Sequence, residues 1–172
     1  MAGIQDFRET SEFSRHRVDQ CGAYLGHKSY WKLYAIENYL RVILHSVLSV
    51  QFREDWFDTY IGKKRRQEID RLKKDYLNTR VHTLPGRHDI YYLYLSDLNK
   101  IMSASRHLFE KVIEDVDSWI VKIEGVRLPR NLVGHMNFPN REDRKRIDKL
   151  YGELSTLVQK LERKPKFTVR IP

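Results

Sequence analysis

Residues 128–140 read LPRNLVGHMNFPN and place Arg130, Asn131 and His135 within six positions, between Pro129 and Pro139. Arginine keeps its charge and grips phosphate oxygens with a rigid fork of donors. Histidine titrates near neutrality and can give or take a proton. Proline lacks the N–H that goes unused in a first helical turn, and it disfavours helical geometry at the residue before it. Pro129 therefore predicts a bend or restart that sets Arg130 and Asn131 at a helix N-terminus. Free N–H groups beside a guanidinium there suit a phosphate.

The spacing alone is cheap. Eighteen Arg and seven His in this chain meet Arg-x-x-x-x-His about 0.7 times by chance. On a straight helix Arg130 and His135 stand about 140° apart. They converge if the helix is irregular, if the arginine reaches around, or if two copies of the segment meet. Gly134 and the following NFPN supply grounds for irregularity. The plain alternative is that Arg130 caps a helix through a carboxylate and His135 is an ordinary satisfied histidine.

The surrounding pattern is helical almost throughout. From His27 to Val50, apolar residues recur at Tyr30, Leu33, Ile36, Leu40, Ile43, Val47 and Val50, a single stripe at steps of three and four. Tyr34, Glu37, Arg41 and His45 run beside it on a neighbouring face. A segment opens near Arg53 with Trp56, Phe57 and Tyr60, and after Gly62 the stretch KKRRQEIDRLKKDYL continues with Ile69, Leu72 and Tyr76 inward. Residues 78–89, NTRVHTLPGRHD, form the main loop. Helices are predicted from Ile90 to Val112, with Ser96 or Asp97 able to cap a fresh start, and from Val116 to Pro129. The last opens at Asn140, where Asp143 makes a capping-box variant, and carries Ile147, Leu150, Leu154, Leu157 and Leu161. KPKFTVRIP at the end is a short edge strand or an arm. The expectation is an all-α antiparallel bundle of about five helices, with an extension or short helix over 1–27, the bundle over 28–162 and a tail over 163–172. Residues 1–27 can also serve as an arm on a partner protomer.

Composition narrows the function. With 172 residues and 32% charged side chains there is material for one core. The formal charge of +9 points to an anionic partner, of which nucleic acid is the commonest. No apolar run approaches a membrane span, and the mixed charges of MAGIQDFRETSEF do not make a signal peptide, so cytoplasm is the expected location. Cys21 stands alone, which excludes an internal disulfide framework and a cysteine zinc site. No dinucleotide or Walker glycine pattern is present, no cofactor is expected, and no metal-binding cluster of His, Asp and Glu is visible.

RNLVGH after WIVKIEGVRLP resembles the R-x(4–6)-H signature of the HEPN superfamily, whose members often carry Asn directly after the Arg. YWKLYAIENYLRVIL, residues 30–44, is similar to that family's long first helix with its Glu-Asn-x-x-Arg face. The resemblance covers about residues 28–160. It implies a helical bundle that dimerises, with the motifs of two protomers facing across one cleft, and a metal-independent RNA endonuclease. A toxin or antiviral defence effector, with an antitoxin or regulatory partner, is the setting it implies. One subgroup carries x-Tyr after the His, where a partner nucleotidyltransferase modifies the Tyr; here Met136 and Asn137 stand instead.

RNA cleavage needs a base for the 2′-OH, an acid for the leaving 5′-oxygen and positive charge on the phosphorane. His135 suits either proton role, Arg130 the phosphate, and Asn131 can orient the histidine or the phosphate. Glu37, Asn38 and Arg41 are candidates for supporting the site, with an ion-paired surface face as the alternative. Lys63, Lys64, Arg65, Arg66 and Arg127 are candidates for following an RNA backbone. Tyr91, Tyr92 and Tyr94 can stack bases, although burial is expected of them. His82, Arg87 and His88 lie in the loop and carry no catalytic assignment. A non-catalytic HEPN-type module that binds RNA or protein is the competing expectation, and an enzyme acting on a free nucleotide a third.

Overall fold

A computed structural model describes residues 5–9, 12–53, 55–79, 82–164 and 167–172. Helix α1 spans Arg15–Leu25, and Ser14 caps it by accepting the Arg17 N–H. A π-turn over Gly26–Tyr30 leads without a break into α2, Trp31–Phe52. The boundary expected near residue 27 therefore falls inside one helical rod. Short α3, Trp56–Tyr60, and the charged α4, Lys63–Asn78, follow.

The single helix expected over 90–112 is divided. A 3-10 turn at Asp89–Tyr92 precedes α5, Leu95–Ala104, and α6, Arg106–Phe109. The Asp97 carboxylate accepts the Tyr94 N–H at 3.1 Å, which is the fresh start the acid allowed. Helix α7 covers Val116–Gly134 and α8 covers Arg141–Glu162, whose cap Asn140 accepts the Asp143 N–H at 2.9 Å.

The core is made where α2 and α7 each pack against both α5 and α8. From α2 come Leu33, Ile36, Leu40, Ile43, Leu44, Val47 and Leu48; from α7, Val116, Ile123, Val126 and Val133; from α8, Ile147, Leu150, Leu154 and Leu161. Most of these positions lie on the stripes the sequence shows, to which Leu44, Leu48, Val116 and Val133 are added, while Trp119, Ile120 and Leu157 are partly buried. Removal of apolar surface from water holds the four helices together. Tyr30 and Val50, at the ends of the α2 stripe, are exposed. The described residues contain no strand, so the edge-strand alternative for the tail falls away. The tail lies on its own bundle: Phe167 packs against the core, the Arg170 N–H donates to Ser46 Oγ at 2.8 Å, and the Tyr91 hydroxyl donates to the Pro172 carbonyl.

Pro129 corrects an expectation. It is buried inside α7, and the helix runs on through Gly134. Arg130 and Asn131 thus lie near a helix C-terminus, where carbonyls rather than N–H groups lack partners. Pro129 offers no N–H to the carbonyl of Gly125, four residues earlier in the same helix, and its side chain is buried.

Candidate functional site

Arg130 leans away from solvent toward α2. Its Nε–H donates to Glu37 Oε1 at 2.5 Å. The other oxygen of Glu37 accepts from Arg41 Nη2 at 2.8 Å, and Arg41 also donates to Asn38 Oδ1 and to the Leu93 carbonyl. Glu37 and Arg41 are buried and Arg130 is half-buried. An i,i+4 step on α2 sets the first pair, and the bundle brings in Arg130. Two guanidinium charges share one carboxylate, so the cluster keeps a surplus positive charge. Arg41 Nε is buried and has no hydrogen-bond partner.

This cluster forms the wall of a cleft of about 400 Å³, walled also by Tyr30, Tyr34, Pro85, Tyr91 and Met136. Tyr34 is 69% exposed, and the Arg41 guanidinium sits 5.9 Å from the centre of the Tyr91 ring. The Tyr94 ring stands between Arg130, at 5.9 Å, and Arg65, at 4.6 Å. On the far side of Tyr94 a second hollow is lined by Lys63, Lys64, Arg65 and Lys100. Cationic groups and exposed rings therefore alternate along one surface, an arrangement that suits a phosphate backbone with stacked bases. Burial holds for Tyr92 alone of the three loop tyrosines; Tyr91 is half-buried and Tyr94 is exposed.

His135 is the cap of α7, exposed, and its ring makes no hydrogen bond among the described residues. Gly134 and Met136 line the cleft, whereas His135 does not. The Met136 N–H bonds the Val133 carbonyl at 2.9 Å and the Asn137 N–H bonds the Leu132 carbonyl at 3.0 Å. That double bond pattern ends the helix in a Schellman turn, with Met136 at φ 58°. The helix stays regular up to its cap, so the separation of about 140° between Arg130 and His135 persists. Within one chain the two groups face different ways. Asn131 is exposed, and its carbonyl accepts the His135 N–H at 3.0 Å.

Val121, Leu128 and Leu132 are exposed on one stripe of α7, with Gly125 between them. His135 stands within about 60° of Leu132 on that helix, beside this apolar strip. Of the other candidates, Arg65 is paired with Asp97 and Glu68, and Arg66 with Asp58, Asp70 and Asp89. Arg127 donates to Glu124. Lys63 and Lys64 are exposed and have no ion pair among the described residues.

Sequence reasoning did not find Tyr30, Tyr34 or Pro85 as cleft walls. Only the fold brings Pro85 beside Tyr34 and Glu37 of α2. No group of three or more His, Cys, Asp or Glu among the described residues is placed to hold a metal ion. No described helix is long and apolar enough to cross a membrane. No protein-family model, no curated protein and no solved structure matches this chain.

Proposed function

We propose that this chain is an RNA endonuclease of the HEPN type that works as a pair of identical copies without a metal ion. The observation that carries the reading is the Arg130–Glu37–Arg41 cluster in a cleft walled by tyrosines and joined through Tyr94 to Lys63 and Lys64. A surplus positive charge beside aromatic faces suits one nucleotide of a single strand, its phosphate toward the guanidiniums and its base toward Tyr34. His135 is free and exposed next to an apolar stripe, and a second copy docking there completes what one chain leaves apart.

In this reading a histidine takes the 2′-OH proton as the 2′-oxygen attacks phosphorus. The bond to the 5′-oxygen breaks, and a proton is returned to that oxygen by the same histidine, supplied by the partner copy, or by water. Arg130 stabilises the charge on the phosphorane, and Asn131 helps to hold substrate. The products are a 2′,3′-cyclic phosphate and a 5′-hydroxyl. Cytoplasmic action, and a toxin or defence role with a regulatory partner, accompany the proposal through the resemblance alone.

The test is incubation of purified protein with structured and unstructured RNA in EDTA. Fragments ending in 2′,3′-cyclic phosphate are expected, and their loss in folded His135→Ala and Arg130→Ala. Equal cutting by both variants sinks the assignment. A second reading, a non-catalytic module that binds RNA or protein, is favoured by the engagement of Arg130 with Glu37 and its distance around the helix from His135. RNA binding that depends on Arg130 and Lys63, with no cleavage, supports that alternative.

A further inference from the structure

Twelve residues along the same helix from Arg41, about 18 Å at 1.5 Å per residue, lies a second group of donors. We propose that Arg53, Arg170, Ser49 and His45 form a binding site for a phosphate group, separate from the cleft and independent of the proposed cleavage reaction. The group is that of inorganic phosphate or of a mononucleotide.

These four side chains and Asp55 line a concavity of about 700 Å³ where the end of α2 meets the tail. Neither arginine has an ion pair among the described residues. Ser49 is 4% exposed, and its Oγ has no hydrogen-bond partner. A helical serine so deeply buried usually bonds a carbonyl one turn back; this one is left with its hydroxyl to offer to a ligand.

The histidine is held in one tautomer. Trp56 Nε1 donates to His45 Nδ1 at 3.2 Å, and an indole nitrogen can only donate. The proton of the neutral ring therefore sits on Nε2. Burial, with His88 and Arg170 close by, pushes the His45 pKa down to about 4, so at neutral pH it supplies an N–H rather than a charge. The ring is fixed by Trp56 and by His88, which lies 4.9 Å away edge to face and is itself stacked on Trp56.

The backbones that carry the two arginines are also set in place. Arg53 caps α2 at φ 53° and ψ −125°, a backbone conformation that side-chain-bearing residues rarely adopt. Such strain concentrates where a side chain is required in one direction. The backbone of Arg170 is fastened to α2 from both sides, its N–H donating to Ser46 Oγ and its carbonyl accepting from the same hydroxyl at 3.3 Å. Two cations, a hydroxyl and an imidazole N–H are all donors. Among the described residues lining the hollow, Asp55 carries the one carboxylate, which leaves a net positive charge. Donors of that number around one hollow suit a tetrahedral oxyanion better than a flat carboxylate, with Arg supplying paired contacts.

The test is titration with inorganic phosphate at constant ionic strength, read by calorimetry and by thermal melting. Phosphate is expected to raise Tm in wild type and in Arg130→Gln. Arg53→Gly removes the guanidinium and relieves the backbone, so it should fold at least as well as wild type and lose the phosphate response. Arg170→Gln and Ser49→Ala should each weaken binding at least about fivefold, and Asp55→Asn should strengthen it. A parallel titration with 5′-AMP separates the sources: equal affinity assigns inorganic phosphate, tighter AMP binding assigns a nucleotide. No phosphate response in wild type overturns the site. So does a response unchanged in Arg53→Gly and Arg170→Gln, or lost equally in Arg130→Gln.

Discussion

Arg130 and Glu37, 93 residues apart in the chain, meet at 2.5 Å and tie the last turns of α7 to the second turn of α2. Since α2 and α7 each pack on α5 and α8, this ion pair crosses the bundle between helices that share neighbours. Its carboxylate is also the counter-charge of Arg41. One acid thus neutralises part of two bases, and it does so where the cleft opens.

Removing that acid should be costly. Glu37→Ala leaves the buried Arg41 without its counter-charge and is expected to destabilise the fold by about 3 kcal/mol. Arg130→Ala, at a side chain 27% exposed, should cost less than half as much. Urea unfolding of both variants checks the order. A Glu37→Ala variant as stable as wild type would show that water compensates Arg41 and that the cluster is not structural.

A shared site makes a complementation result. If His135 of one copy serves the Arg130 cleft of the other, mixing Arg130→Ala with His135→Ala protein restores cutting. Random exchange puts half of the pairs in mixed form with one intact site of two, so about a quarter of wild-type activity is expected. No recovery after exchange, shown by light scattering or crosslinking to be complete, rules out sharing.

The exposed strip of α7 gives a separate measurement. Leu128→Asp adds a charge between Val121 and Leu132 and far from the core, so helicity should be unchanged. Self-association measured by light scattering at micromolar concentration should fall at least tenfold. A wild type that stays monomeric there contradicts the paired arrangement.

Met136 holds a left-handed conformation that suits glycine, and it is 72% exposed. Met136→Gly therefore loses little packing and relieves the turn, and a gain of roughly 0.5–1 kcal/mol is expected in thermal unfolding. A loss of stability would mean that the methionine side chain packs on the cleft wall more than its exposure implies.

His45 predicts acid sensitivity. Its folded pKa of about 4 lies below the usual 6.5, so the unfolded chain binds the extra proton first as pH falls. The contribution is fully present above pH 6.5 and is lost as pH falls toward 4. After allowance for its partial exposure this amounts to about 1–2 kcal/mol. Unfolding curves of wild type and His45→Gln across that window should converge toward acid. Parallel curves would remove His45 as the source.

Much of the bundle was legible because stripe positions such as Ile36, Leu40, Ile43 and Leu154 are local and periodic. The capping acids Asp97 and Asp143 are local signals too. Pro129 was misread because its rule is local whereas its burial in α7 depends on the packed bundle. Glu37 and Arg41 could be paired from a four-residue step, but the approach of Arg130 could not. The His45–Trp56–His88 cluster was equally hidden, since it joins α2, α3 and a loop that no periodicity connects. Arg130 and His135 diverge on a regular helix, and α7 runs unbroken to Gly134, without the irregularity for which Gly134 and NFPN gave grounds.

The π-turn at Gly26–Tyr30 makes α1 and α2 a single rod whose phase is offset by an inserted residue. Deleting one residue there would convert the turn to ordinary helix at no loss of hydrogen bonding. It would also rotate everything before it by about 100°. Cys21 and Leu25, now buried, would swing toward solvent. The extra residue thus acts as a phase-setting spacer between the amino-terminal helix and the rest of the molecule.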